Sequence, residues 1–547
     1  MRVRELGLAV VWLAVGTMGF GQAAAPGTAP GQKRSCAIEH VVSNEADKAI
    51  ARQDFVQAEA LYRGMMDGLG SSAAVVGVVR SELGQRKLAE ALALAVQETT
   101  AHPADALLQM ALGEVRLRRG EVVEAALALT QSQRLDLCIA RGHYDVARYL
   151  RLEGMLATAR EQLDLARSLS PEDGVIRRAW MAEHATPPTA AERIERLTER
   201  MKNENLTDEQ REGLAAALKA ARVREKGDCQ MVSPVTTAKL EMLSISNGPS
   251  YPVYAMGLKV LLNGHEKKFE LDTGASGLLI SRASAKSAGL VPELEIKAGG
   301  IGDSGPASAF VTHVDDLRIG GMEFKNCMVR VLEKSSVLEI DGLIGTDVFG
   351  NYLVTLDTPG RQLRLDPLPK RPDEVAETAA SLDTEGADDV SAVAVAKGPR
   401  DRYIAPEMKG WTTIFRVGHE LIVATNIGKA PTKLFLLDTG SARTMISPEA
   451  AREVTRVSGN EMQRVKGISG EVKKVYEADN VQVSFGGVAQ MTRGMTSIDT
   501  SAISRGTGVE ISGVIGFPML RELVVTIDYR DDVIHVVYDP KHGYHQR

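Results

Sequence analysis

From about Glu39 to Leu169, apolar residues recur at three- and four-residue intervals in sequence rich in Ala, Leu, Glu and Arg, the pattern of successive amphipathic helices. A further helical stretch from Thr189 to Lys226 caps or links them. After Cys229 the period shortens. Val253 to Leu262, Leu353 to Leu365 and Val533 to Tyr538 alternate Val, Ile, Leu and Thr among many glycines, which predicts short strands in an all-β region. Pro367, Pro369 and Pro372, followed by Asp373, Glu374, Glu377, Asp383, Glu385, Asp388 and Asp389, read as an acidic linker. At the start, Arg2 and Arg4 precede an apolar run from Leu6 to Phe20 and the small residues around Ala23. That run is 15 residues, short of the roughly 20 that span a membrane, so an export signal cleaved after Ala23 is expected. The predicted organisation is a signal peptide at 1–23, a helical repeat domain at 39–226, a β lobe at 230–366, the linker at 367–402 and a second β lobe at 403–541.

The helical part is periodic. Gln53-Asp54-Phe55-Val56-Gln57-Ala58 aligns with the segments beginning at Arg86, Gly120 and Gly154, and the starts step by 33, 34 and 34. Each has an apolar residue third and Ala sixth, and Pro103 and Pro171 each fall 17 residues after their repeat begins. A small residue there lets paired helices approach, and Pro ends the second helix because it cannot extend the hydrogen-bond ladder. The pattern resembles tetratricopeptide repeats, whose period is about 34. Gln53 and Arg86 stand where that family prefers Gly.

The β region is duplicated as well. Phe269-Glu270-Leu271-Asp272-Thr273-Gly274-Ala275-Ser276 matches Phe435-Leu436-Leu437-Asp438-Thr439-Gly440-Ser441-Ala442, and Ile280-Ser281 matches Ile446-Ser447 at the same offset. Gly342-Leu343-Ile344-Gly345 matches Gly513-Val514-Ile515-Gly516. Val354-Thr355-Leu356-Asp357 matches Val525-Thr526-Ile527-Asp528, each ending 12 residues after the preceding Gly. Four shared offsets mark two related lobes.

An apolar strand running into Asp-Thr-Gly presents a carboxylate at the strand's end, where Gly permits close approach of a second backbone. Two such lobes about a pseudo-twofold axis bring Asp272 and Asp438 together. Carboxylates about 3 Å apart cannot both ionise and share a proton, which places an acid and a base in one site with no nucleophilic side chain and no metal or other cofactor required. Residues 230 to 541 resemble a tandem pair of retropepsin-like aspartic protease lobes, on Asp-Thr-Gly followed by an apolar-apolar-Gly element in each. The resemblance implies an all-α solenoid followed by an all-β bilobed protease fold. It makes Asp272 and Asp438 the catalytic dyad, Thr273 and Thr439 the residues that reach across to the opposite lobe, and Gly274 and Gly440 the points of close approach. It also implies a flap on each lobe, with Ile301 and Gly302 at one tip and Ile468 and Gly470 at the other. Thr346 and Phe517 follow the apolar-apolar-Gly elements where retroviral relatives carry Arg. Ser441 against Ala275 is the other asymmetry; a hydroxyl there favours an ionised neighbour, so Asp438 is expected to be the lower-pKa member.

Charge and composition narrow the alternatives. With 65 Lys and Arg against 71 Asp and Glu, a net charge of −6 argues against a nucleic-acid partner held by phosphate neutralisation. No membrane span is expected once the signal is removed. The four cysteines, Cys36, Cys138, Cys229 and Cys327, lie too far apart for a redox pair or zinc knuckle; three full pairings remain open, and buried free thiols are at least as good a reading. Gly300-Ile301-Gly302-Asp303-Ser304-Gly305 matches a dinucleotide fingerprint in letters only, because Pro306 and a strand-like segment follow where a helix should open. His265-Glu266 and His419-Glu420 read as exposed turns, and His542 and His545 as a solvated tail. The function expected is an exported aspartic endopeptidase, secreted or periplasmic, acting on a peptide or protein substrate, with lobes paired within one chain and helical repeats recruiting substrate or a protein partner. The alternative is a noncatalytic peptide-binding scaffold.

Overall fold

The computed structural model describes residues 36–38, 44–66, 71–186, 188–227, 229–248, 250–333, 340–372, 374 and 398–538; the signal segment, most of the acidic linker, His542 and His545 lie outside them. The N-terminal part is helical: α1 (Glu45–Ala51), α2 (Phe55–Arg63), α3 (Ser71–Gly84), α4 (Leu88–Ala101), α5 (Ala106–Arg118), α6 (Val122–Leu135), α7 (Ala140–Leu152), α8 (Leu156–Leu169), α9 (Gly174–His184), α10 (Ala190–Met201) and α11 (Asp208–Glu225). Each repeat opens on one recurring turn. Asp54, Lys87, Glu121 and Met155 each donate their N–H to a carbonyl five residues back, and the residue before each, Gln53, Arg86, Gly120 and Gly154, has φ of 63°, 62°, 74° and 70°. This is a glycine-type helix stop. Gln53 and Arg86 adopt the same left-handed backbone without being Gly, so the turn persists where the residue preference is broken. Ala58, Ala91, Ala125 and Ala159 are all buried between helices.

The β-rich remainder forms two lobes and a sheet that joins them. In lobe 1 the strands that matter are β1 (Ala255–Leu262), β2 (His265–Asp272), β3 (Leu278–Ser281), β4 (Gly342–Gly345) and β5 (Tyr352–Asp357). Their counterparts in lobe 2 are β6 (Glu420–Ile427), β7 (Lys433–Leu437), β8 (Met445–Ile446), β9 (Gly513–Ile515) and β10 (Leu523–Asp528). The joining sheet has six strands, three from each lobe, with β5 and β10 antiparallel at its centre. Thr355 lies opposite its own counterpart Thr526, with Oγ1 atoms 3.1 Å apart. Equivalent residues meet only on a pseudo-twofold axis. One apolar core, from Phe269 and Ile344 to Phe435 and Ile515, runs through both lobes.

The helices are fastened to lobe 2. Leu117, Val122 and Leu152 join Phe415, Leu434 and Ile511 in one buried cluster. Arg118 donates to the Gly508 carbonyl and accepts from the Glu510 N–H at 2.8 Å. Asp401, at the far end of the acidic segment, caps α8 by accepting from the Ala157 and Thr158 N–H groups at 2.8 and 3.0 Å. The near end is held too, by Arg371 ion-paired with buried Asp531.

The free-thiol reading is corrected. Cys36 is joined to Cys138 and Cys229 to Cys327, and no described cysteine is free. The second bridge follows from strand register invisible in sequence: Gln230 pairs with Lys325, which sets Cys229 beside Cys327.

Candidate active site

Asp272 ends β2 and Asp438 directly follows β7. Each strand is braced by a parallel neighbour beneath it, with Gly345 opposite Asp272 and Ile515 accepting the Asp438 N–H at 3.0 Å. The two loops then interlock. Thr273 N–H donates to Thr439 Oγ1 and Thr439 N–H to Thr273 Oγ1, both at 3.0 Å. Thr273 Oγ1 donates to the Leu437 carbonyl at 2.7 Å, and Thr439 Oγ1 to the Leu271 carbonyl at 2.8 Å. Four bonds thus tie the loops reciprocally. A methyl added to Gly274 would meet the Asp438 carboxyl carbon at 2.8 Å, and one added to Gly440 would run into the Asp272 carboxyl.

The carboxyl groups are hydrogen-bonded to each other, and their environments differ. Burial raises both. Asp272 is brought back down by the proton it receives from Asp438 and by the Gly274 and Gly440 N–H groups. Asp438 is held well above the usual carboxylate range by burial and by the negative charge of Asp272. Both carboxyls are thus pushed upward, and the hydroxyl contact on which a lower pKa for Asp438 was expected is not made. Ser441 turns its hydroxyl to the Arg443 carbonyl at 2.8 Å and gives Asp438 only its backbone N–H.

Around the loops, Ser276 Oγ and Gly277 N–H both donate to Asp347. Thr346 hydrogen-bonds Tyr529 of the other lobe, and Phe517 is buried in the shared core, so the positions expected to hold Arg are filled by different contacts. The predicted flap residues also come together. Strand 294–298 pairs with strand 307–319, leaving 299–306 as a tip, and the second tip turns at Ile468 and Ser469 between short strands. Gly300 N–H donates to Ser469 Oγ at 3.1 Å, Ser469 N–H to the Ile301 carbonyl at 3.0 Å, and Ser304 N–H to the Ser469 carbonyl at 2.8 Å. Gly302 and Gly470, at φ of 132° and 93°, occupy backbone regions that other residues rarely adopt.

Two residues escaped sequence reasoning. His419 is half-buried rather than exposed, and its field reaches Asp272. Glu270 is only 6% exposed, and burial together with Asp272 holds it well above the ordinary carboxylate range. The signal for Glu270 was present, since it stands against Leu436 where the residues from Phe to Gly otherwise match.

Residues 258–348 match the family described as aspartyl protease. Among solved structures, the chain is similar to a retropepsin-like aspartic protease from Rickettsia conorii, at 20% identity over 25% of this chain and 96% of that one, with a TM-score of 0.19. It is also similar to an aspartic proteinase from Irpex lacteus, at 11% identity over 56% of this chain and 98% of that one, with a TM-score of 0.30. No curated protein matches.

Proposed function

We propose that this chain, with its aspartyl protease segment at 258–348, is an exported aspartic-type endopeptidase in which Asp272 and Asp438 activate water. The observation that carries the reading is a pair of mutually hydrogen-bonded carboxyls, Asp272 buried and Asp438 partly buried, held between loops that brace each other through Thr273 and Thr439. Asp272, ionised, takes a proton from water as its oxygen attacks the peptide carbonyl carbon. Asp438 gives its proton to the carbonyl oxygen, and the intermediate collapses as a proton reaches the leaving nitrogen. The flap tips part to admit an extended peptide and close over it. The helical repeats recruit substrate or a protein partner; α5 to α7 share a packed cluster with the flap residue Ile301, so whatever they hold is held beside the cleft. Export is supported by the apolar leader and by two disulfides, which persist in oxidising compartments. Hydrolysis of a random peptide library by the purified mature chain tests the reading against a noncatalytic scaffold.

The pair also dictates a pH profile. Activity needs one proton on the dyad, so kcat/KM is expected to rise as the first proton leaves and fall as the second does, with apparent pKa values that belong to the pair. Burial shifts both Asp groups upward, which carries the falling limb above the range of an isolated Asp and sets an acidic to mildly acidic optimum. A profile that keeps rising through neutral pH, or loss of activity with a metal chelator, would contradict the mechanism.

A further inference from the structure

The strands that carry the dyad each turn one face into the shared core. In β2, Phe269 and Leu271 enter the core, so Glu270 stands with Asp272 on the other face. Strand register then defines a row across lobe 1: Gly257 opposite Glu270, Glu270 opposite Leu343, Leu343 opposite Leu279. Leu279 and Leu343 pack with Ile468, the flap tip of lobe 2, which identifies this face as the floor of the cleft. The equivalent row in lobe 2 is Ile422, Leu436, Val514 and Met445, and it belongs to the cluster that holds both Ile301, the flap tip of lobe 1, and the docked helix residues Leu117, Val122 and Leu152. Two equivalent rows therefore lie under opposite flaps, and they differ in chemistry. One is apolar throughout. The other holds a carboxylate beside a glycine that offers no side chain to pair with it.

Among the described residues none donates a hydrogen bond to the Glu270 carboxyl, and the charged neighbour acting on it is another acid, Asp272. A largely buried glutamate with no hydrogen-bond donor and an acid for a neighbour is disfavoured as an anion in the free chain, and a cationic side chain arriving in the cleft offsets that. We propose that Glu270 is a specificity-determining residue, pairing with a lysine or arginine of the substrate at one residue flanking the scissile bond, while the Ile422–Leu436–Val514–Met445 row accepts an apolar side chain on the other. This inference rests on the peptidase reading and adds the substrate class to it.

The test is cleavage of a random peptide library by the wild-type chain, followed by matched peptides carrying Lys or Leu at the selected position. The library should show Lys and Arg enriched on one side of the cleaved bond and apolar residues on the other. In Glu270→Gln, which keeps the shape and removes the charge, and in Glu270→Leu, the Lys-to-Leu ratio of kcat/KM should fall by about 100-fold. Because the ratio is taken within one variant, any loss common to both peptides cancels. Apolar residues on both sides of the wild-type cleavage sites, or a ratio unchanged in both variants, would overturn the role of Glu270 while leaving the peptidase reading intact. A wild-type chain that cleaves no peptide would overturn both.

Discussion

Asp272→Asn and Asp438→Asn should each lower peptide hydrolysis by three orders of magnitude or more, because an amide can neither hold nor take the shared proton. The fold should survive and Asp438→Asn should melt at a higher temperature than wild type near neutral pH. The sign follows from the raised pKa of Asp438, whose causes are burial and Asp272. A carboxyl with a folded pKa above its unfolded value binds its proton more tightly when folded. Its contribution is therefore most favourable below the unfolded pKa and is lost as pH climbs from there through the folded pKa. Asn removes that loss. A variant keeping a tenth of wild-type activity with an unchanged melting temperature would show that the dyad is misassigned.

Gly440→Ala and Gly274→Ala should cost about 100-fold or more in kcat while changing the far-ultraviolet circular dichroism little. Neither glycine has a left-handed backbone, so Ala introduces no torsional strain; its methyl group collides with the carboxyl of the opposite lobe. The carboxyl must move and the shared hydrogen bond is broken. Gly277→Ala offers a contrast within the same loop, since no atom lies within 4 Å of the added methyl and the cost there is only the strain of its φ of 60°. Activity within tenfold of wild type in both Gly440→Ala and Gly274→Ala would mean that the loops do not need their close approach.

Sequence was most informative where structure repeats. The helical phase was readable because Ala58, Ala91, Ala125 and Ala159 recur at one position of a repeat, and such small residues are buried by helix contact. The two lobes were readable because a strand, a tight turn and a second strand recur at fixed offsets, and the axis relating them passes between Thr355 and Thr526. What was not readable depends on contacts between distant segments. Cysteine pairing required the register of strand 230–233 against strand 322–332. Whether the Ser441 hydroxyl reaches the dyad depended on one rotamer, which bonds Arg443 instead of the carboxylate. The docking of the helices on lobe 2 rests on Arg118 and Asp401, charged residues in no motif. Glu270 lay between these cases. Its mismatch with Leu436 was visible, but its meaning came only when the cross-strand rows showed both to be cleft positions.

The central claim is that one chain supplies both carboxylates of one site. Equal amounts of the Asp272→Asn and Asp438→Asn chains should be mixed, incubated and assayed against the peptide that wild type cleaves best. With β5 and β10 paired in a sheet common to both lobes and the core continuous between them, exchange between molecules requires unfolding that sheet. The mixture should be as inactive as either variant alone. Recovery of a substantial fraction of wild-type activity would show that lobes from different molecules pair to make the site.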